Sequence, residues 1–307
     1  MITGAGGYVG SRLALEAGRH ADIEVRAQVR RRRPWLECAD QVTGDLTSPG
    51  VAEASCEGME AVVHLAGANE VHAATDPDAA LVGTVVGTRR LVDAAAEAGV
   101  KTFVYLSTMH VYGDALMPGA EITEETLPRP RTVYGIARLA AEHLAQSGRD
   151  LDVVVLRLAN AIGAPAHPEV DRWTPVTNDL CRQLATTGEL ELRSDGTQWR
   201  DFTPLGAVCE LLVGAARGKL PPGTYNVASG VPTTIRALAE RVQEVAHRCT
   251  GRRPPLHIPP ASSQPPAPYV VNVDKLSSAG YRMPANVEDA IEETLRFCLA
   301  QAEVLCR

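Results

Sequence analysis

The sequence predicts an α/β protein, a doubly wound parallel sheet carrying a smaller C-terminal cap, and three observations lead there. A glycine-rich turn, Met1-Ile2-Thr3-Gly4-Ala5-Gly6-Gly7-Tyr8-Val9-Gly10, joins a strand end to an apolar helical pattern through Val9, Leu13 and Leu15. Unbroken apolar runs at 61–67, 102–107 and 152–158 have the length and character of parallel strands buried on both faces. Helical stretches separate those runs: residues 79–98 set Leu81, Val85, Val92 and Ala95 along one side and stop at Gly99.

In the first turn Gly4, Gly7 and Gly10 stand three apart. Glycine lets the backbone turn sharply and approach a pyrophosphate, and the helix opening at Tyr8 and Val9 offers unpaired N–H groups and a positive dipole to it. The strand before the turn is short, since only Met1 and Ile2 precede Thr3. A mid-sheet strand usually runs to about five or six residues, so either this one is abbreviated or the recorded start lies downstream of the true one.

Residues 23–29 read as the second strand, ending in Arg30-Arg31-Arg32-Arg33-Pro34. A dinucleotide fold meets the adenosine ribose there, where an acidic residue suits the 2′-hydroxyl of NAD and an arginine the 2′-phosphate of NADP. Arg30 therefore favours NADP, with NAD the alternative. Asp45 and Leu46 follow a short third strand at 41–43 and fall at the adenine edge. Leu65, Ala66 and Gly67 end the next strand on the cofactor side, and His64 is read as a packed core residue.

Composition excludes several classes. The chain has 307 residues, 45% apolar and 22% charged, enough for one large domain or two intimate ones. A net charge of −7 argues against a nucleic-acid partner. No apolar run approaches a membrane span and no signal peptide precedes the glycine turn, so cytoplasmic residence is expected. Cysteines 38, 56, 181, 209, 249, 298 and 306 are scattered without a C-x-x-C pair and read as reduced thiols, and no metal site is expected. Beyond Gly163 the pattern changes. A proline-punctuated loop leads to a helix near 178–186, residues 207–217 return to the main sheet, and seven prolines between Pro254 and Pro268 mark an extended connection. The expected division is residues 1–162, with 204–228 returning, as the dinucleotide-binding unit and 163–203 with 229–307 as the cap.

The chemistry concentrates after the 102–107 strand. Thr108 falls at its carboxyl edge, where ligands of such sheets bind. Tyr134 then opens a helix with Arg138 on the same face, four residues on. A cation beside a phenol favours the phenolate, so Tyr134 can exchange a proton with an oxygen held by Thr108.

These motifs resemble the extended short-chain dehydrogenases/reductases of the nucleotide-sugar epimerase/dehydratase group. Thr3-Gly4-x-x-Gly7-x-x-Gly10 resembles the cofactor loop, Ser107-Thr108-x-x-Val111-Tyr112-Gly113 the Ser/Thr motif, and Tyr134-Gly135-x-x-Arg138 the Tyr-x-x-x-Lys pair. Later blocks match at Arg157-Leu158-Ala159-Asn160, Arg200-Asp201-Phe202, 225–230 and Asp274…Gly280-Tyr281. The resemblance implies a Rossmann fold, hydride exchange between a nicotinamide and a sugar carbon, and Tyr134 as acid/base with Thr108 as polariser. It also implies Asn160 and Arg200 on the diphosphate of a sugar nucleotide, and a homodimer through the Tyr134 helix and its neighbour.

Departures narrow the reaction. The family lysine is Arg138, and the helix asparagine expected before Val85 is Thr84. An acidic residue expected after Phe202 is missing from 204–207. Met109 and His110 stand at the substrate side where dehydratases carry carboxylates, which argues against 4,6-dehydration and sugar-acid decarboxylation. His110 is read as filling the strand end beside Tyr112, with donation to a sugar hydroxyl as the other role. Three readings follow: an NADPH-dependent keto-sugar reductase, a 4-epimerase with retained NAD, and a cofactor-binding sensor without turnover.

Overall fold

The computed structural model describes residues 1–37, 40–148, 150–261 and 266–306. Cys38, and Pro265 among the seven prolines, lie outside the described residues. Strands β1 (Ile2–Thr3), β2 (Arg26–Val29), β3 (Asp40–Thr43), β4 (Ala61–His64), β5 (Thr102–Thr108), β6 (Asp152–Leu158) and β7 (Gly223–Val227) form a parallel sheet in the order β7-β6-β5-β4-β1-β2-β3. The chain leaves β1 in one direction for β2 and β3, and in the other for β4 to β7. The carboxyl edge beside β1 is thus the switch point where such sheets bind ligands.

Alternation along the strands supplies a core on each face. Val104, Leu106, Val154 and Leu156 pack with helices α1 (Tyr8–Ala17) and, later in the chain, Leu205–Ala216. Phe103, Tyr105, Val153 and Val155 pack with α2 (Gly87–Glu97) and α3 (Val133–Gln146) on the other. Residues expected to form the cap include a separate core, where α4 (Val176–Thr187), α5 (Ile235–Thr250) and α6 (Glu288–Ala300) bury Leu180, Val242, Ile291 and Leu295. Leu256–His257, within the proline-rich stretch, pairs in parallel with Leu190–Glu191.

Three elements differ from the sequence reading. The second strand begins at Arg26 and not at 23. The run at 61–67 leaves the sheet after His64, because the N–H groups of Leu65 and Ala66 turn to Thr3 Oγ1, each at 3.1 Å, and Gly67 takes φ +147°. Residues 79–98 are helical but not uniform: Pro77–Leu81 runs into a π-helical turn, Val82–Val86, before α2. That turn buries Thr84, whose Oγ1 accepts from Ala68 N at 3.1 Å and fastens the helix to the loop after β4. One-turn π insertions often mark such functional contacts.

A buried polar cluster joins α3 to the sheet. Glu142 on α3 takes a forked pair from Arg157 on β6, with Nη2 to Oε2 at 2.7 Å and Nε to Oε1 at 3.1 Å. Ser107 on β5 donates to Glu142 Oε1 as well. Arg157 Nη1 also donates to the Tyr112 hydroxyl at 2.9 Å, which donates to Asn226 Oδ1 on β7 at 2.7 Å. Truncating one member of a buried ion pair strands the other charge, a loss of about 3–5 kcal/mol. Glu142→Ala should therefore lower the urea-unfolding free energy by about that amount. A loss smaller than for an exposed pair such as Arg89–Asp93 would contradict it.

Candidate active site

The glycine turn is built for backbone approach. Gly4 has φ +63°, and a Cβ there would lie 2.9 Å from Ala66 N. At Gly10 a Cβ would meet Gly4 O at 2.3 Å, so only glycine lets α1 sit against the turn. Gly7 caps α1 with extended backbone and no side-chain acceptor, leaving first-turn N–H groups, including those of Tyr8 and Val9, without an intrahelical partner. A glycine cradle ending in an uncapped helix start fits a dinucleotide pyrophosphate.

Next to the cradle, Thr3 Oγ1 lies 2.7 Å from His64 Nδ1, and His64 Nε2 lies 2.9 Å from Thr88 Oγ1. Thr88 donates in turn to Thr84 O at 2.5 Å. Thr3 already accepts from Leu65 and Ala66, so its own hydrogen goes to Nδ1, and the ring proton sits on Nε2. Burial lowers the His64 pKa to about 3, so the ring is neutral and structural, as the sequence reading had it.

Thr108 ends β5 almost fully buried, and its Oγ1 accepts from His110 N at 3.2 Å. Among the described residues that is its hydrogen bond, so its own O–H can be donated into the cleft. The His110 ring meets the Tyr134 ring edge-on, with centroids 5.5 Å apart. Arg138 Cζ lies 5.4 Å from the Tyr134 ring centroid. Thr108, Tyr134 and Arg138 thus surround one strand end. Two glycines allow it: a Cβ on Gly135 would stand 2.8 Å from His110 O, and on Gly113, at φ +49°, 2.0 Å from Arg129 O.

Arg138 is buried, with Nη1 3.4 Å from Tyr105 Oη and Leu106 O and Nη2 3.4 Å from Ala68 O. Its Nε finds no partner among the described residues. A Cβ on Gly67 would come within 3.1 Å of the guanidinium carbon, so that glycine makes room for it.

Several side chains named from sequence turn inward or have partners within the protein. Met109 is buried with Val111, Tyr112, Ile122 and Val271, because the turn after Thr108 rotates it into a small apolar core and away from the cleft. His110 does not fill the strand end beside Tyr112; it is exposed against Tyr134. Leu46 turns its side chain into the second core. The Tyr8 hydroxyl donates to Gly163 O at 2.7 Å, and burial raises its pKa. Asn160 Nδ2 donates to Asp201 O at 2.9 Å. Arg200 is exposed and donates to Trp199 O, while Asp201 is buried and accepts from Ser229 N at 2.7 Å. Asp45 is exposed, and its hydrogen bonds from Thr47 hold its carboxyl below the usual range.

Other residues went unread in the sequence. Arg30 is exposed, but Arg33 lies against the glycine turn, its Nε 3.2 Å from where a Gly6 Cβ would be. Glu70, just past Gly67, forms a forked pair with Arg172 of the cap at 2.9 and 3.2 Å. Burial pushes the Glu70 carboxyl up, but Arg172, its own backbone N–H and His110 together hold it below its usual range. In the cap, a cavity of about 520 Å³ is lined by Trp173, Asp179, Arg182, Arg193, Ser194 and Gln198. Nothing in local spacing marks these pairs, because each partner comes from a distant segment. Among the described residues no cluster suits a metal ion, and no helix is long and apolar enough to cross a membrane.

Adding a methyl at position 135 forces either the His110 carbonyl or the helix start to move. Gly135→Ala should cost about 1–3 kcal/mol by overpacking and displace Tyr134. An unchanged unfolding midpoint with Tyr134 unmoved in a crystal structure would refute this.

The profile of the NAD dependent epimerase/dehydratase family matches residues 1–228. The chain is 30% identical over 261 residues to GDP-6-deoxy-D-mannose reductase of Pseudomonas aeruginosa, covering 80% of this chain and 79% of the reductase. Its fold superposes on MoeE5 in complex with UDP-glucose and NAD at TM-score 0.79, with 26% identity over 99% of this chain and 98% of that one. RMD from Pseudomonas aeruginosa, complexed with NADPH, gives TM-score 0.75 and 25% identity, covering 98% of each chain. With the cradle, the strand-end threonine and the tyrosine–cation pair on one sheet edge, these likenesses make the chain an enzyme of the NAD-dependent epimerase/dehydratase family, with the Rossmann-type sheet of the extended short-chain dehydrogenases/reductases.

Proposed function

We propose that this enzyme reduces a keto-sugar nucleotide, of the 4-keto-6-deoxyhexose type, with NADPH. The observation that carries the reading is the tyrosine–arginine pair beside Thr108 with no carboxylate at 109 or 110. The nicotinamide, when bound, supplies the hydride. Thr108 donates its hydroxyl hydrogen to the substrate carbonyl oxygen, and Tyr134 gives that oxygen its proton. The Arg138 guanidinium stabilises the negative charge left on the phenol. Dehydration would need a carboxylate to take a sugar proton, and neither buried Met109 nor His110 is one. The cap cavity, with Arg182 and Arg193 on its wall, suits the nucleotide, and Arg200 and Asn160 suit the diphosphate.

Similarity to a reductase and the basic segment Arg30–Arg33 both support NADPH. A second reading, a 4-epimerase with retained NAD, uses the same tyrosine and threonine, and likeness to MoeE5 in complex with UDP-glucose and NAD supports it. Apolar Val82, Val86 and Ile136, 40–51% exposed on two adjoining helices, support a homodimer through this face.

The enzyme should oxidise NADPH stoichiometrically with a 4-keto-6-deoxyhexose nucleotide, and Tyr134→Phe should reduce turnover by about 10²–10⁴-fold, the usual weight of an acid/base group. Interconversion of two sugar nucleotides without added coenzyme would select the epimerase. Arg30→Asp should move preference from NADPH towards NADH, and an unmoved preference would reject its phosphate role. Ile136→Asp should give a monomer in sedimentation; an unaltered mass would reject that dimer face.

A further inference from the structure

Residues 163–172 touch α1, the loop after β2 and the segment after β4 in turn. Gly163 and Ala164 are tied to α1 by the Tyr8 hydroxyl at 2.7 Å and by Arg12 Nη1 at 3.1 Å. Two residues of the segment then meet the loop after β2. The His167 ring stacks on Trp35 at 4.8 Å with the planes 5° apart. Glu169 accepts from the Trp35 indole N–H at 3.2 Å and from Arg33 Nη1 at 3.4 Å. Arg172 closes the far end on Glu70, beside the loop after β4.

We propose that this segment is a strap which must open at Trp35 and His167 before a nicotinamide dinucleotide can enter or leave. The inference rests on the reading that the dinucleotide lies along the glycine turn. Beyond α1, its attachments fall on opposite sides of that turn, one on the adenosine loop and one past Gly67. Arg33, held by Glu169, lies against Gly6 itself. A dinucleotide spanning both loops is therefore enclosed, and its exit requires one attachment to break.

The Arg172–Glu70 pair, at 2.9 Å with side chains 21% and 39% exposed, is the more sheltered end and stays closed, so the strap opens at Trp35. The Arg33–Glu169 pair has side chains 35% and 58% exposed, so solvent screens most of its attraction. The stacked rings exclude water between them and hold more firmly. The Trp35–His167 stack is thus the latch, and Glu169 steadies it through the indole.

Coenzyme release from the full-length protein tests this. NADPH, and separately NADH, is bound, then displaced by excess NADP⁺ or NAD⁺ in a stopped-flow instrument while nicotinamide fluorescence is followed. Trp35→Ala should raise the release rate about tenfold, and Glu169→Gln about threefold. Arg296→Ala, on the remote α6, should leave it at the wild-type value. Release at the wild-type rate from both Trp35→Ala and Glu169→Gln would overturn the strap. Should Trp35→Ala fail to fold, Glu169→Gln alone decides. A wild-type protein that takes up neither coenzyme would instead overturn the coenzyme reading on which the strap depends.

Discussion

The ion pair between Glu142 and Arg157 fixes where the reactive side chains stand. Glu142 lies two turns along α3 from Tyr134, and Arg157 sits on β6 beside the strand that ends in Thr108. Both charges are shielded from water, so each is tolerable only while the other is in place. A helix could otherwise slide or roll on the apolar face of a sheet at little cost, since dispersion and hydrophobic contacts have no direction. The forked guanidinium does have one. It sets the height of α3 on the sheet, and the shared hydroxyl of Tyr112 passes that constraint to Asn226 on β7, whose Nδ2 donates to Ile122 O.

Above this anchor, the cleft is shaped by where side chains are missing. Gly113 and Gly135 let a turn and a helix start touch through their backbones, and Gly67 clears the volume that the guanidinium of Arg138 fills. Arginine in place of the family lysine is therefore accommodated by its own set of neighbours. Its planar group reaches carbonyls on two loops, at Leu106 and Ala68, where an ammonium would offer a single point of charge. It joins the strand end to the loop past Gly67 while keeping a cation beside the phenol.

Much of this was legible in the sequence because it depends on local pattern. Buried parallel strands are apolar on both faces, so 102–108 and 152–158 announce themselves, and glycine spacing with a following helix marks the turn at Gly4. Tyr134 and Arg138 share a helix face by periodicity alone. Illegible parts depend on direction or on distant partners. The turn after β5 is a short 3-10 turn, and it buries Met109 while exposing His110, an exchange that composition cannot encode. Arg33 lies at the glycine turn, on a loop after β2 that Gln41 holds at the backbone of Arg33 and Leu36. Thr84 looks like a lost asparagine in the chain, yet a π turn presents its hydroxyl to Ala68.

The first strand, Ile2–Thr3, is short for a central position. The side-chain relay from Thr3 through the imidazole of His64 to Thr88 adds lateral moorings beside its backbone rungs. Such moorings have a polarity: they close only with a single ring proton on the nitrogen facing Thr88. The centre of the sheet is thus secured by a chain of hydrogens pointing one way, from β1 outward to the helix, and a side chain of the same size without two opposed ring nitrogens would leave the strand to its backbone rungs.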